Sequence, residues 1–159
     1  MNIHESIIFG VLSGVLTAMF IFIVKEFWLK VLLPWYQDFK YQGADISGSW
    51  FAEYEFNEPD VTKSTYSVVL VQNAHKVEGS MQFTFVSENR KFNVEYKLEG
   101  QYWEGYLNLS CRSKNKKMYS HGSMFLKLIN NGSGLLGQFN FRHAFEDKVV
   151  TFPLGLDRN

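Results

Sequence analysis

The chain reads as an all-β domain carried behind one N-terminal transmembrane helix, the domain being an eight-stranded up-and-down antiparallel barrel. Three observations predict this. Residues 7–24, IIFGVLSGVLTAMFIFIV, contain no charged residue. From Ile46 onward, apolar and polar residues alternate in short runs. Turn-forming residues separate those runs, and no long helical pattern interrupts them.

As a helix, residues 7–24 span roughly 27 Å, close to the ~30 Å hydrocarbon core of a bilayer. The residues before them, MNIHES, contain no Lys or Arg, and Lys25 and Glu26 follow instead of a small-residue cleavage site. That pattern predicts an uncleaved single-pass anchor, not a signal peptide. Lys25, Lys30 and Lys40 all lie after the span, so the positive-inside tendency puts the β domain in the cytoplasm. Ser6, Gly10, Gly14 and Ala18 recur every four residues. Small residues on one helix face let two backbones approach in lipid, so this face is the expected surface of membrane oligomerisation. Residues 27–36, FWLKVLLPWY, are too short for a second span. With Trp28, Trp35 and Tyr36 they read as an interfacial continuation of the helix, broken near Pro34. The expected organisation is therefore helix and continuation over 1–36, linker over 37–45, and barrel over 46–159.

The barrel follows from the alternation. Phe92, Val94, Tyr96 and Leu98 share one face, with Lys91, Asn93, Glu95, Lys97 and Glu99 on the other. Val77, Gly79, Met81, Phe83 and Phe85 repeat this pattern, as do Trp103, Gly105, Leu107, Leu109 and Cys111. Eight strands are expected, near 47–56, 64–73, 76–86, 91–99, 102–112, 118–129, 135–145 and 148–154. Glu99-Gly100 and Asn131-Gly132 are the expected tight turns. Closure into a barrel removes exposed edges; a two-sheet sandwich is the alternative. An aromatic content of 17% suits pleated, half-buried surfaces. The single Cys111 excludes an internal disulfide and favours a reducing compartment.

Up-and-down order puts the connections after the first, third, fifth and seventh strands at one end, away from the anchor. Around that mouth the sequence places Lys63, Arg90, Lys91, Arg112, Lys114, Lys116, Lys117 and Lys148, against Glu58, Asp60, Glu88, Glu146 and Asp147. The expected phosphate-binding residues are Arg90, Arg112, Lys114 and Lys117. Tyr54 and Trp103 share parity with the inward set and are the expected stacking residues. Trp50 is expected to plug the barrel, and Arg142 to point outward.

Catalytic and metal chemistry are not expected. His4, His75, His121 and His143 lack zinc-ligand spacing, Cys111 has no activating partner, and no phosphate-binding or nucleophile motif occurs. The formal net charge of +0 argues against a nucleic-acid polymer as partner.

Gly48-Ser49-Trp50 is similar to the lipocalin and calycin pattern, in which the Trp packs across one end of the barrel. The wider layout is an N-terminal membrane segment, a short linker, then Asp45-Ile46-Ser47-Gly48-Ser49-Trp50 opening a minimal barrel. It resembles the membrane-anchored β-barrel effectors of bacterial cyclic-oligonucleotide antiphage systems (CBASS), also described as SMODS-associated β-strand-rich effectors. The layout covers the whole chain, while the residue match is concentrated in 45–50. The resemblance implies a homo-oligomer of the bacterial inner membrane whose cytosolic barrel binds a cyclic dinucleotide. Binding controls assembly of the membrane segments, the membrane is disrupted and the infected cell dies. The family usually has two spans, and this sequence has one. Two other readings fit the residues: a membrane-tethered carrier of an apolar ligand, and a ligand-free assembly module with a filled barrel.

Overall fold

A computed structural model describes residues 3–56, 61–88, 90–115, 120–142 and 148–159. The chain separates into two compact units, Met1–Tyr41 and Gln42–Asn159.

The first unit is helical. Helix α1 (Ile3–Phe27) passes through a π-helical turn (Trp28–Leu32) into α2 (Leu33–Lys40). The stretch Ser6–Gln37 is long and apolar enough to cross a membrane. The expected break near Pro34 does not occur. Proline lacks an N–H, and its ring presses on the carbonyl four residues back. The wider π turn just before it, where the Leu33 N–H donates to the Trp28 carbonyl, makes room for the ring. The helix therefore runs into the segment expected as linker, and the connection to the barrel is residues 41–47. The Ser13 and Thr17 hydroxyls donate to the carbonyls of Gly10 (3.0 Å) and Ser13 (2.8 Å), so both are satisfied inside the helix. Ser6, Gly10, Gly14 and Ala18 are exposed, and no atom outside the local helix lies within 4 Å of where a Cβ would stand on either glycine.

The second unit is a closed antiparallel barrel of eight strands in sequence order. They are β1 (Gly48–Phe56), β2 (Thr62–Asn73), β3 (Lys76–Ser87), β4 (Lys91–Trp103), β5 (Tyr106–Ser113), β6 (His121–Ile129), β7 (Gly134–Arg142) and β8 (Val149–Arg158). The alternation drives this arrangement. Val94, Tyr96 and Leu98 on β4 and Leu107, Leu109 and Cys111 on β5 are buried, and the residues between them are exposed.

One hairpin differs from expectation. Glu99 and Gly100 do not turn; they lie inside β4, opposite Ser110 and Leu109. A Cβ on Gly100 would stand 1.8 Å from the Asn108 carbonyl oxygen, so glycine lets the neighbouring strand approach where the barrel wall bends. The turn is at Glu104 (φ 49°) and Gly105 (φ 86°), two left-handed residues that match the twist of the strands they join.

The base of the barrel is the end where the chain arrives at β1 and where the β2–β3, β4–β5 and β6–β7 hairpins lie. The sequence Asp45–Trp50 builds it. Ile46 is fully buried. Its N–H donates to Gln72 Oε1 (2.9 Å), and the Ser47 hydroxyl accepts the Gln72 N–H (3.0 Å). The Asp45 carboxylate accepts the Ser47 N–H, and hydrogen bonding from Ser47 holds that carboxyl below its usual range. Gly48 takes φ 132°, which sharply redirects the chain. Trp50 then plugs the interior as expected: it is 1% exposed and its Nε1 donates to the Ile46 carbonyl (3.0 Å). The Arg158 guanidinium covers the indole at 5.2 Å and donates to the carbonyls of Ser47 (2.6 Å), Asp45 (3.2 Å) and Gly132 (3.3 Å).

Candidate functional site

The interior is divided by residue type. Toward the base, the inward positions hold Trp50, Leu98, Leu107, Leu109, Leu126, Leu135, Leu154 and Leu156, all at most 2% exposed. Toward the other end, the mouth, they hold rings. Tyr66, Tyr96 and Phe139 are buried, Phe83, Phe85, Phe141 and Phe152 are half-buried, and Phe92 and Phe56 reach 39% and 47% exposure. Burial therefore falls off toward the rim of a ring-lined cup whose floor is packed ring on ring: Tyr66 of β2 meets Phe139 of β7 across the interior (6.5 Å).

The rings touch one another along the wall and across the interior. Phe85 stacks on Phe92 (centroids 5.1 Å), and Phe83 meets Tyr66 (4.8 Å). Tyr66 faces Phe152 (6.0 Å), which meets the edge of Tyr54 (5.1 Å). On the other side Tyr96 meets Phe139 (6.2 Å), and Phe139 meets Phe141 (5.0 Å). Hydroxyls are interleaved: Tyr96 Oη and Ser120 Oγ are 2.6 Å apart, and Ser64 is buried beside Tyr66 in the inward set. Burial raises the Tyr66 and Tyr96 hydroxyls above the usual tyrosine range, so both stay neutral as hydrogen-bond donors. Among the described residues, no charged side chain stands on the inward face of this mouth half.

The expected site residues separate on this frame. Tyr54 lies in the cup wall, as its parity implied. Its hydroxyl bridges the backbone N–H and carbonyl of Gly155. Trp103 does not face inward. Because the turn is at 104–105, Trp103 ends β4 on the parity opposite to buried Tyr102, 53% exposed, at the base and not the mouth. There it lies flat on His75, with centroids 3.5 Å apart.

Arg112 points outward beside Lys97 and His121, its strand partners. Lys114 pairs with Glu95 on the outer wall. Arg90 sits exposed in the β3–β4 turn, where its N–H and carbonyl bond with Ser87. Lys63 binds Glu53 at 2.6 Å and Glu55 at 3.5 Å, and its ammonium is held above the usual lysine range by the bond to Glu53. Arg142 is exposed, as expected. Lys117, with Lys116, Glu58, Asp60, His143, Glu146 and Asp147, lies outside the described residues. The described mouth cations thus form an outer collar around a neutral, ring-lined cup. Sequence reasoning missed the cup's main lining, Phe56, Phe83, Phe85, Phe92, Phe141 and Phe152; their inward parity was the available signal.

Cys111 is buried beside these rings, and burial pushes its thiol up to about 12, which leaves it an inert core group. Among the described residues, no three His, Cys, Asp or Glu side chains are grouped to hold a metal ion.

No protein-family model matches the chain. Searches of curated proteins and of solved structures likewise return no match.

A further feature sets the cup apart from the rest of the wall. The β1–β8 ladder contains only two pairs, Trp50 with Arg158 and Phe51 with Asp157. Above them, toward the mouth, the two strands are joined by side chains: the Tyr54 hydroxyl, and the rings of Phe56 and Phe152 at 6.4 Å. The cup wall is thus least tied at the seam that carries its own lining.

Proposed function

We propose that the chain is a membrane effector of bacterial antiphage defence, anchored in the inner membrane by α1, with its barrel in the cytoplasm as receptor for a cyclic oligonucleotide, a cyclic dinucleotide being the class expected. Ligand binding controls self-association of the helix through Ser6, Gly10, Gly14 and Ala18, and the assembled helices disrupt the membrane and kill the infected cell. The observation that carries the receptor reading is the neutral, ring-lined cup with cations on its outer collar. Nucleobases stack on Phe85, Phe92 and Phe152, at a cost in affinity of about 1–3 kcal/mol per base when the ring is removed. The phosphates stay at the rim, within reach of collar residues such as Arg90, Arg112 and Lys114. The open small-residue face supports the helix part.

A second reading is favoured by the absence of an inward charge among the described mouth residues. In it the cup takes an apolar ligand, and the protein is a membrane-tethered carrier.

Thermal unfolding of the full chain in detergent separates the readings. A panel of cyclic di- and trinucleotides is compared with a fatty acid and a hydrophobic dye. A ligand at 100 times its dissociation constant adds about 2.7 kcal/mol of stability. A shift with one nucleotide, lost in Phe92→Ala and weakened by salt and by Arg112→Ala, supports the receptor. A salt-independent shift with the apolar probes alone supports the carrier. No shift with either leaves the assembly module, whose barrel is simply filled. Gly14→Leu is expected to abolish toxicity while leaving ligand binding intact; full toxicity in that variant overturns the helix part of the reading.

A further inference from the structure

Ion pairs stud part of the barrel's outer wall. Lys63 with Glu53, Lys76 with Glu78, Lys97 with Glu99, and Lys114 with Glu95 stand on β1 to β4 and just past β5. Exposed apolar side chains such as Phe51, Val69 and Val71 also lie on that wall, but the exposed rings gather in one region. At the base, Trp103, Tyr106, Lys127 and Leu136 form a continuous row across β4, β5, β6 and β7, because they are successive strand partners. Phe125 is the next outward position on β6. Trp103, Phe125 and Leu136 are each 53% exposed and Tyr106 is 42% exposed.

The row is ordered, not merely exposed. Trp103 and His75 are parallel within 1°. Tyr106 stacks on Phe125 with centroids 5.5 Å apart, and Lys127 Nζ lies 5.8 Å from the Tyr106 ring centroid. Trp and Tyr with an adjacent Lys form a composition suited to the lipid–water boundary. The rings sit at headgroup level, and the ammonium reaches the phosphates. The row also lies at the end of the barrel where the chain arrives. Residues 41–47 connect Lys40 to Gly48, and seven residues reach at most about 25 Å when extended.

We propose that this row is a lipid-contacting surface, with Trp103, Tyr106, Phe125 and Leu136 in the headgroup–acyl boundary and Lys127 at the phosphates. The proposal rests on the reading of α1 as a membrane anchor.

The test uses the full chain in vesicles of anionic and zwitterionic phospholipid that carry bromine high on the acyl chain, a quencher that acts on contact. Wild type reports on the anchor through Trp28 and Trp35. The double variant Trp28→Phe/Trp35→Phe keeps only buried Trp50 and Trp103 as emitters. Expected is loss of most Trp103 emission in the double variant, with the remaining Trp50 emission unquenched after Trp103→Phe. Leu136→Glu, at the β7 end of the row, is expected to restore Trp103 emission. Quenching in wild type with none in the double variant overturns the proposal and leaves the anchor standing. Failure of wild type to float with the vesicles overturns both. Trp103 shielded from an aqueous quencher yet untouched by brominated lipid means a second copy covers the row, which also overturns the proposal.

Discussion

The Tyr54 hydroxyl accepts the Gly155 N–H at 2.6 Å and donates to the Gly155 carbonyl at 3.0 Å, so one side chain stands in for a missing rung of the barrel. The neighbouring backbone explains why it must. Asn159 N–H bonds to the Ser49 carbonyl, and Arg158 N–H bonds to Ser133. Odd-numbered residues of β8 therefore turn their N–H groups toward β1. Pro153, at an odd position, has none to offer. Tyr54→Phe is expected to cost about 1–3 kcal/mol, because it leaves both Gly155 groups without their partner. Urea unfolding gives the cost. Faster amide exchange at Gly155, with the other hairpins unchanged, would confirm that the loss is confined to the seam.

Gly100→Ala and Gly137→Ala test the tight bends. A Cβ would stand 1.8 Å from the Asn108 carbonyl oxygen in the first case and 2.0 Å from that of Phe125 in the second. Backbone carbonyls bound into a ladder cannot step aside, so each change is expected to cost about 3 kcal/mol or more. Calorimetry would show this as a fall in Tm on the order of 10 °C. Gly14→Ala, with open space around it, is the control and leaves barrel unfolding unchanged.

Glu104 holds φ 49°, a conformation that costs an L residue with a long side chain. Glu104→Asn keeps the two-residue turn and suits it better, with an expected gain of about 0.5–1 kcal/mol. A loss of stability instead would mean that the Glu104 side chain contributes a contact worth more than the strain.

Alkaline pH provides a test of a different kind. In the folded barrel, burial raises Cys111 from 9.0 to about 12 and lifts Tyr66 and Tyr96 above 10.0. All three are neutral when protonated. Above about pH 9 the unfolded chain gives up the Cys proton, and above about pH 10 the Tyr protons, while the folded state keeps them. Unfolding then releases protons, so stability falls as pH rises, by up to about 1.4 kcal/mol per pH unit for each group. Urea midpoints between pH 8 and 11 would trace this. Cys111→Ala should flatten the first part of the fall and leave the tyrosine part.

Arg158→Ala removes three carbonyl contacts and the cover over Trp50 at once. The expected cost is about 2–3 kcal/mol, and Arg158→Lys should recover little of it, since an ammonium cannot reproduce the planar fork. A double-mutant cycle with Trp50→Phe would isolate the share due to the ring.

The sequence made the barrel legible because its signal is periodic. Phe92, Val94, Tyr96 and Leu98 declare their face without help from anything distant. What failed was local punctuation. Glu99-Gly100 and Glu104-Gly105 are the same dipeptide, and only the approach of Asn108 from the next strand tells the bend from the turn. Shifting that turn by five residues moved Trp103 from the fifth strand to the fourth and reversed its face. The cup itself was half visible: parity pointed the phenylalanines inward, while the mouth cations lie outside, Lys63 and Lys114 held there by Glu53 and Glu95. The weak seam was hidden because ring closure, not any pair of neighbours, decides which two strands meet imperfectly. Pro153 was its one written trace.

The π turn at Trp28–Leu32 has a consequence of its own. One surplus residue in a helix works as a phase shift. It rotates everything after it by roughly 100° about the axis relative to a plain α-helix. The stacked pair Trp35 and Phe39 thus faces a direction that depends on this surplus as well as on its distance in sequence from Gly10 and Gly14. Deleting a single residue from 28–32 would leave composition, hydropathy and length almost untouched, yet turn one face of the helix away from the other. What the two faces of this helix can meet at the same time is written in a count, not in a chemistry.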